Sequence, residues 1–298
     1  MRKVDRLGWA AGFSFLSYGR RVGVRVNCAV ELERLKAHLP PGWKPSASPI
    51  VERLYSLVFG GEDAKRGARR FNLLYADFER VERTHDTESM LEAFESNLRL
   101  FVAEWARRRV FVHAGVVGWR GQAILVPGRS HTGKTTLVAE LVRAGATYYS
   151  DEFAVLDARG RVHPYVKPLA VRESANGRQT NYGVESFGGR AGAGPLPVGL
   201  VAVSSYREGA RWRPRTLSAG QGMLALLDNT VSARREPERA LTALEQVASR
   251  AAVLKGARGE AADTALAILA LLNRNMRGTR GDDEESARPE AEAAALFR

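Results

Sequence analysis

The sequence predicts an α/β fold with a mixed sheet, led by a β-rich N-terminal extension and closed by C-terminal helices. Three observations carry this reading. The apolar run Ala123-Ile124-Leu125-Val126-Pro127 passes through a glycine-containing turn into a helical pattern marked by Leu137, Leu141 and Val142. Hydrophobic runs flank that unit, Arg109 to Val117 before it and Ala146 to Leu156 after it, and both read as strands. From residue 219 onward, apolar residues recur at helical spacing.

In chain order, residues 12 to 83 alternate short apolar runs with turns: Gly12 to Tyr18, Arg21 to Asn27, Pro49 to Phe59 and Arg69 to Arg83. A helix is expected from Val30 to Leu39, ended by Pro40-Pro41-Gly42. Asp86 or Thr87 caps a long helix whose apolar face is Leu91, Phe94, Leu98, Phe101, Val102 and Trp105. The helix after the central turn ends at Gly145, a left-handed C-cap, and leads into a strand with two adjacent acids, Asp151-Glu152, at its middle. Neighbours on a strand point to opposite faces, so the two carboxylates are expected to diverge unless a bulge re-aims them. Gly177 to Pro197 is glycine-rich and contains Arg178, Asn181 and Tyr182, the composition of a mobile lid or substrate loop. Val198 to Tyr206 reads as a buried strand, followed by helices over Ala219 to Asp228, Glu238 to Leu254 and Glu260 to Asn273. The expected organisation is a β-rich region over 1–85, an α/β region with its helices over 86–280, and an acidic, disordered tail over 281–298.

The central turn carries chemistry. Gly128-Arg129-Ser130-His131-Thr132-Gly133-Lys134-Thr135 fits G-x-x-x-x-G-K-[ST], the Walker A or P-loop pattern, and lies between a strand and a helix as that pattern requires. Backbone N–H groups of such a loop wrap phosphates, and a side chain at Gly128 or Gly133 would obstruct the approach. Lys134 supplies a point charge, Thr135 a hydroxyl for Mg²⁺, and Thr136 continues the helix start, whose dipole adds partial positive charge. The lysine is informative because the chain has only seven lysines against thirty-eight arginines. A nucleoside triphosphate, ATP with Mg²⁺, is the expected ligand. His113 interrupts the hydrophobic strand before the motif and joins Asp151 and Glu152 as a candidate.

His113, Gly128 to Thr135 and Asp151-Glu152 stand in an order and at spacings that resemble the catalytic domain of bacterial HPr serine kinase/phosphorylase and its wider group of related proteins. His113 lies fifteen residues before Gly128, and Asp151 seventeen after Lys134. The resemblance covers roughly residues 110 to 172. It implies a P-loop core of the HPr kinase or phosphoenolpyruvate carboxykinase type and an oligomeric assembly. It implies an ATP- and Mg²⁺-dependent kinase acting on a hydroxyl, that of a serine in a small protein or peptide, or of a metabolite. In that reading Lys134 holds the β- and γ-phosphates, Asp151 is the general base, Thr135, Asp151 and Glu152 serve the metal, and His113 tunes the carboxylate or contacts phosphate. Two departures stand out: Glu152 replaces the family's second aspartate, and His163 to Leu169 does not match its glycine-rich signature, so HPr itself is not the expected acceptor. Phosphoserine phosphorylase or phosphatase activity, and nucleotide sensing without transfer, are the alternatives. Lys167 and Arg172 are further cations that could neutralise charge on the transferred group.

At 298 residues, 45% of them hydrophobic, the chain can build a sizeable core. No apolar run reaches the ~20 residues of a membrane span, and no secretory leader follows the N-terminus. The single cysteine, Cys28, excludes an internal disulfide, so a cytoplasmic protein is expected. Net charge is +12, with −4 in the segment from Gly281 and +16 elsewhere. Basic clusters at Lys65 to Arg70, Arg107 to Arg109 and Arg211 to Arg215 accompany no helix-turn-helix, RNP or finger pattern. An acidic substrate or partner is therefore expected before nucleic acid.

Overall fold

The computed structural model describes residues 3–61, 71–128, 132–172 and 179–274. Arg129, Ser130, His131, Arg178, the Lys65 to Arg70 cluster and the acidic tail lie outside the described residues. The fold is α/β with mixed sheets, and the chain divides into two compact units, Met1–Val110 and Phe111–Arg298.

The first unit holds β1 (Ala11–Ser17), β2 (Arg20–Val26), a short α1 (Leu32–Lys36), β3 (Lys44–Ser46), β4 (Arg53–Val58), β5 (Asn72–Ala76), β6 (Glu79–Thr84) and α2 (Thr87–Trp105). Its six strands run in the order β3-β1-β2-β4-β5-β6, antiparallel except where β2 and β4 pair in parallel. That parallel pair needs a crossover, and α1 with β3 lies within it. The side chains of Phe15, Val22, Val24, Tyr55, Leu57 and Leu74 meet Met90, Leu91, Phe94, Leu98 and Phe101 of α2 in one buried cluster. Asp86 caps α2 by accepting from the N–H groups of Glu88 at 3.4 Å and Ser89 at 2.9 Å. The expected break at residue 85 is therefore corrected: α2 buries its apolar stripe on the first sheet, and the division falls at Val110.

The second unit is built on an eight-stranded sheet. Its elements are β7 (Val110–Trp119), β8 (Gln122–Pro127), α3 (Lys134–Arg143), β9 (Thr147–Ser150), β10 (Phe153–Leu156), β11 (Val162–His163), the hairpin β12 (Leu169–Arg172) and β13 (Gln179–Tyr182), then β14 (Val198–Tyr206), β15 (Arg215–Thr216), α4 (Ala219–Leu227), α5 (Pro237–Ala248), β16 (Ala252–Arg258) and α6 over 261–274. The order is β11-β10-β7-β8-β14-β16-β15, with β9 also on β7; β8, β14 and β16 are parallel, while β7 runs antiparallel to β8. One core cluster gathers Val126, Leu137, Val138, Leu141, Leu200 and Leu254 with Ile268 and Leu269 of α6.

Two expectations are corrected here. The helix expected over Glu238 to Leu254 stops at Ala248, and Ala252–Arg258 is a strand parallel to β14. The strand expected over Ala146 to Leu156 is two strands, β9 and β10, with the acids at the break between them. Ser150 makes the break, its Oγ accepting from the N–H groups of Glu152 at 3.1 Å and Phe153 at 2.9 Å. Within the glycine-rich segment expected as a lid or substrate loop, the described residues form β13, paired with β12, and a 3₁₀ turn over Val184–Phe187.

Candidate functional site

β7 brings the three sequence features together. β8 lies along one of its edges, and β9 and β10 lie end to end along the other. The backbone N–H of Gly128 donates to the carbonyl of His113 at 3.1 Å, and one residue on, Ala114 N–H donates to the carbonyl of Glu152 at 3.1 Å. A third backbone bond, from His113 N–H to the carbonyl of Asn229 at 2.7 Å, fixes the strand at this point. The His113 ring packs tilted against Phe153, with centroids 4.7 Å apart. Phe153 in turn meets Phe111 and Tyr165 edge-on. The aromatic cluster thus sets the His113 ring.

At the N-terminus of α3, Gly133 adopts a left-handed conformation (φ 76°), which turns the chain from the loop into the helix. Lys134 opens the helix and is buried, 9% exposed, whereas Thr132 and Thr136 are exposed and Thr135 is half-buried. A Cβ at Gly128 would lie 2.9 Å from the Thr132 hydroxyl and 3.7 Å from Cδ of Lys134, so the loop start stays bare over the lysine. The carbonyls of Thr132 and Gly133 accept from Nη2 of Arg258, at 2.9 and 3.1 Å. Arg258 is 4% exposed and ends β16, the strand missing from the sequence reading. Its signal was the β-branched and apolar Val253-Leu254 followed by Gly256 and Gly259, a strand running into a turn before the next helix.

Thr135 Oγ1 donates to Asp151 Oδ2 at 3.1 Å, which ties the helix start to the acid pair. Asp151 Oδ2 also accepts from Ala170 N–H at 3.4 Å, and Oδ1 lies 3.1 Å from the Tyr148 hydroxyl. Burial pushes the Asp151 carboxyl above the usual carboxylate range, against the pull of those hydrogen bonds. Lys134 is displaced in the other direction: burial lowers its ammonium, and the charges of Asp151 and Glu152 oppose that effect. Glu152 faces Lys167, whose Nζ is 3.7 Å from Oε2. The side chain of Arg172 lies outside the described set.

Thr135 and Asp151 bring a hydroxyl and a carboxylate within hydrogen-bonding distance of each other, with the Glu152 carboxylate on the next residue, and oxygen donors of this kind suit a hard divalent cation. Mg²⁺ uses one or two carboxylates and completes its shell with phosphate oxygens and water. Among the described residues there is no group of three or more His, Cys, Asp or Glu that could hold a metal. Among them, too, no helix is long and apolar enough to cross a membrane.

No family model matches the chain, and no curated protein does. Among solved structures, one described as the HPr(Ser) kinase/phosphatase from Coxiella burnetii is similar at a TM-score of 0.35 and 15% identity, over 59% of this chain and 96% of that one. A likeness this distant says nothing about activity.

Proposed function

We propose that the second unit binds ATP with Mg²⁺ on a P-loop core of the HPr kinase or phosphoenolpyruvate carboxykinase type and transfers the γ-phosphoryl group to a hydroxyl. The observation that carries the reading is the bond from Thr135 to Asp151 beside buried Lys134, at the start of a helix that follows a G-x-x-x-x-G-K-T turn. A desolvated ammonium at a helix N-terminus is an anion site.

In this reading the backbone of Gly128 to Gly133 wraps the phosphates, Lys134 neutralises the β- and γ-oxygens, and Thr135, Asp151 and Glu152 hold the cation. Bound Mg²⁺ would neutralise charge on the phosphates and orient them. Asp151 accepts the proton of the acceptor hydroxyl as its oxygen bonds the γ-phosphorus, and the bond from that phosphorus to the bridging oxygen of the departing ADP breaks. A carboxyl raised by burial is a stronger base once ionised, which suits this role. In this reading Lys167, paired with Glu152, serves as a further cation for the transferred group.

The experiment is transfer of γ-labelled phosphate from Mg-ATP to free serine, threonine, serine peptides and a small carrier protein. Label on an acceptor, lost in Lys134→Ala and in Asp151→Asn, is the expected result. Equal transfer by Asp151→Asn would remove the assigned base. Tight ATP binding with no labelled product from any acceptor would favour a nucleotide-sensing protein.

A further inference from the structure

Tyr148 is fully buried in β9, three residues before Asp151. Its backbone is fixed on both sides: its N–H donates to the carbonyl of Arg190 at 2.9 Å, and its carbonyl accepts from Gly192 N–H at 2.8 Å. The ring belongs to the same core cluster as Leu137, Leu141 and Leu169. Phenylalanine would fill that space equally well. A phenol in its place brings a hydroxyl that costs free energy unless it is hydrogen-bonded. The single hydroxyl proton is shared between two acceptors, the carbonyl of Lys167 at 2.9 Å and Asp151 Oδ1 at 3.1 Å.

Those two contacts reach both arms of the acid pair. Oδ2 of Asp151 is held by Thr135 and Ala170, and the Tyr148 hydroxyl engages its other oxygen. Through the Lys167 carbonyl, the same hydroxyl pins the residue whose ammonium faces Glu152 at 3.7 Å. The segment is pinned again on either side, by Tyr165 N–H to the Tyr149 carbonyl at 3.0 Å and by Ala170 N–H to Asp151. From this geometry we propose that Tyr148 is the positioning residue of Asp151, setting the carboxylate before any ligand arrives and holding Lys167 over Glu152. That Asp151 acts as a base rests on the function proposed above; the Tyr148 contact does not.

The test uses full-length chains carrying Tyr148→Phe, Asp151→Ala and both. Two readouts are taken: Mg-ATP turnover, resolved into kcat and KM, and the thermal midpoint. Tyr148→Phe removes one oxygen and keeps the ring. Its kcat is expected to fall at least about tenfold, with KM for ATP within about twofold, because the phosphate-binding loop is untouched. The midpoints are expected to be non-additive, the double variant falling short of the summed single shifts by at least about 2 °C. Unchanged kcat, or kcat and KM worsening together in step with lost stability, would overturn the proposal. If the unaltered chain turns over no ATP, the phosphotransfer reading fails on its own. The stability cycle then still decides this one, and additive shifts reject it.

Discussion

The guanidinium of Arg258 donates to the backbone carbonyl of Gly133 at 3.1 Å and so holds, from beneath, the turn that precedes Lys134. It also takes the carbonyl of Thr132, so one buried side chain at the end of β16 fixes two successive peptide groups of the loop. Arg258→Met should leave both carbonyls under-satisfied and cost about 2 kcal/mol. Gly133→Ala should cost about 1–2 kcal/mol, because a Cβ there meets Arg258 Nη2 and the left-handed φ of 76° strains any L side chain. Both variants are expected to weaken ATP binding about tenfold, checked by denaturant unfolding and titration with a fluorescent ATP analogue.

Lys167 and Glu152 form a partly buried pair with a long separation, 3.7 Å, so it adds little to stability. Lys167→Met is expected to change unfolding free energy by less than about 1 kcal/mol and to leave ATP affinity within about twofold. Turnover should fall about tenfold if the ammonium meets the transferred group. Parallel measurement of stability, ATP affinity and turnover separates these outcomes.

Asp157 closes the turn between β10 and β11. It accepts from the backbone N–H groups of Arg159 at 2.9 Å and Arg161 at 3.0 Å, and from the side chains of Arg161 and His163 at 3.0 Å. Burial works to raise its carboxyl, but these donors prevail and hold the pKa down to about 2. A folded pKa below the unfolded value of ~3.9 gives stability that is present above about pH 4 and lost as pH falls through about 2. Asp157→Asn should therefore cost about 2 kcal/mol at pH 7, and the difference should shrink toward zero by about pH 2. Urea unfolding of both chains at pH 7, 4 and 2.5 measures it.

Phe153 meets Phe111, Tyr165 and the His113 ring, with centroids 5.5, 5.7 and 4.7 Å away. Phe153→Ala should destabilise by about 3–5 kcal/mol and release the His113 ring, whereas Phe153→Leu should cost about 1–2 kcal/mol. Calorimetric unfolding, with the His113 imidazole signals followed by NMR, tests both effects.

The legible part of the site lay where local chemistry dictates local structure. The strand, glycine turn and helix around Lys134 follow from apolar period and turn residues, and Gly145 ends α3 with Ala146 N–H bonded to the Leu141 carbonyl at 3.0 Å. Two features were not legible. Leu244, Val247, Ala251 and Leu254 keep helical spacing, so α5 seemed to run on through what is strand β16, and Arg258 went unseen with it. The break at Asp151-Glu152 depends on one hydroxyl, that of Ser150, set in a run of residues that otherwise favours an unbroken strand. For β16, pairing with the distant strand β14 decided the outcome, which no local window contains; the break after Ser150 is local, but its only signal is a single side-chain hydroxyl.

Titration of the full-length chain with a fluorescent ATP analogue and Mg²⁺, repeated on Lys134→Ala and Asp151→Asn, tests the central claim most directly. The account predicts saturable binding by the unaltered chain, a loss of at least about thirtyfold in Lys134→Ala, and near-normal affinity in Asp151→Asn. Equal affinity in Lys134→Ala and the unaltered chain, or no saturable binding at all, would contradict it.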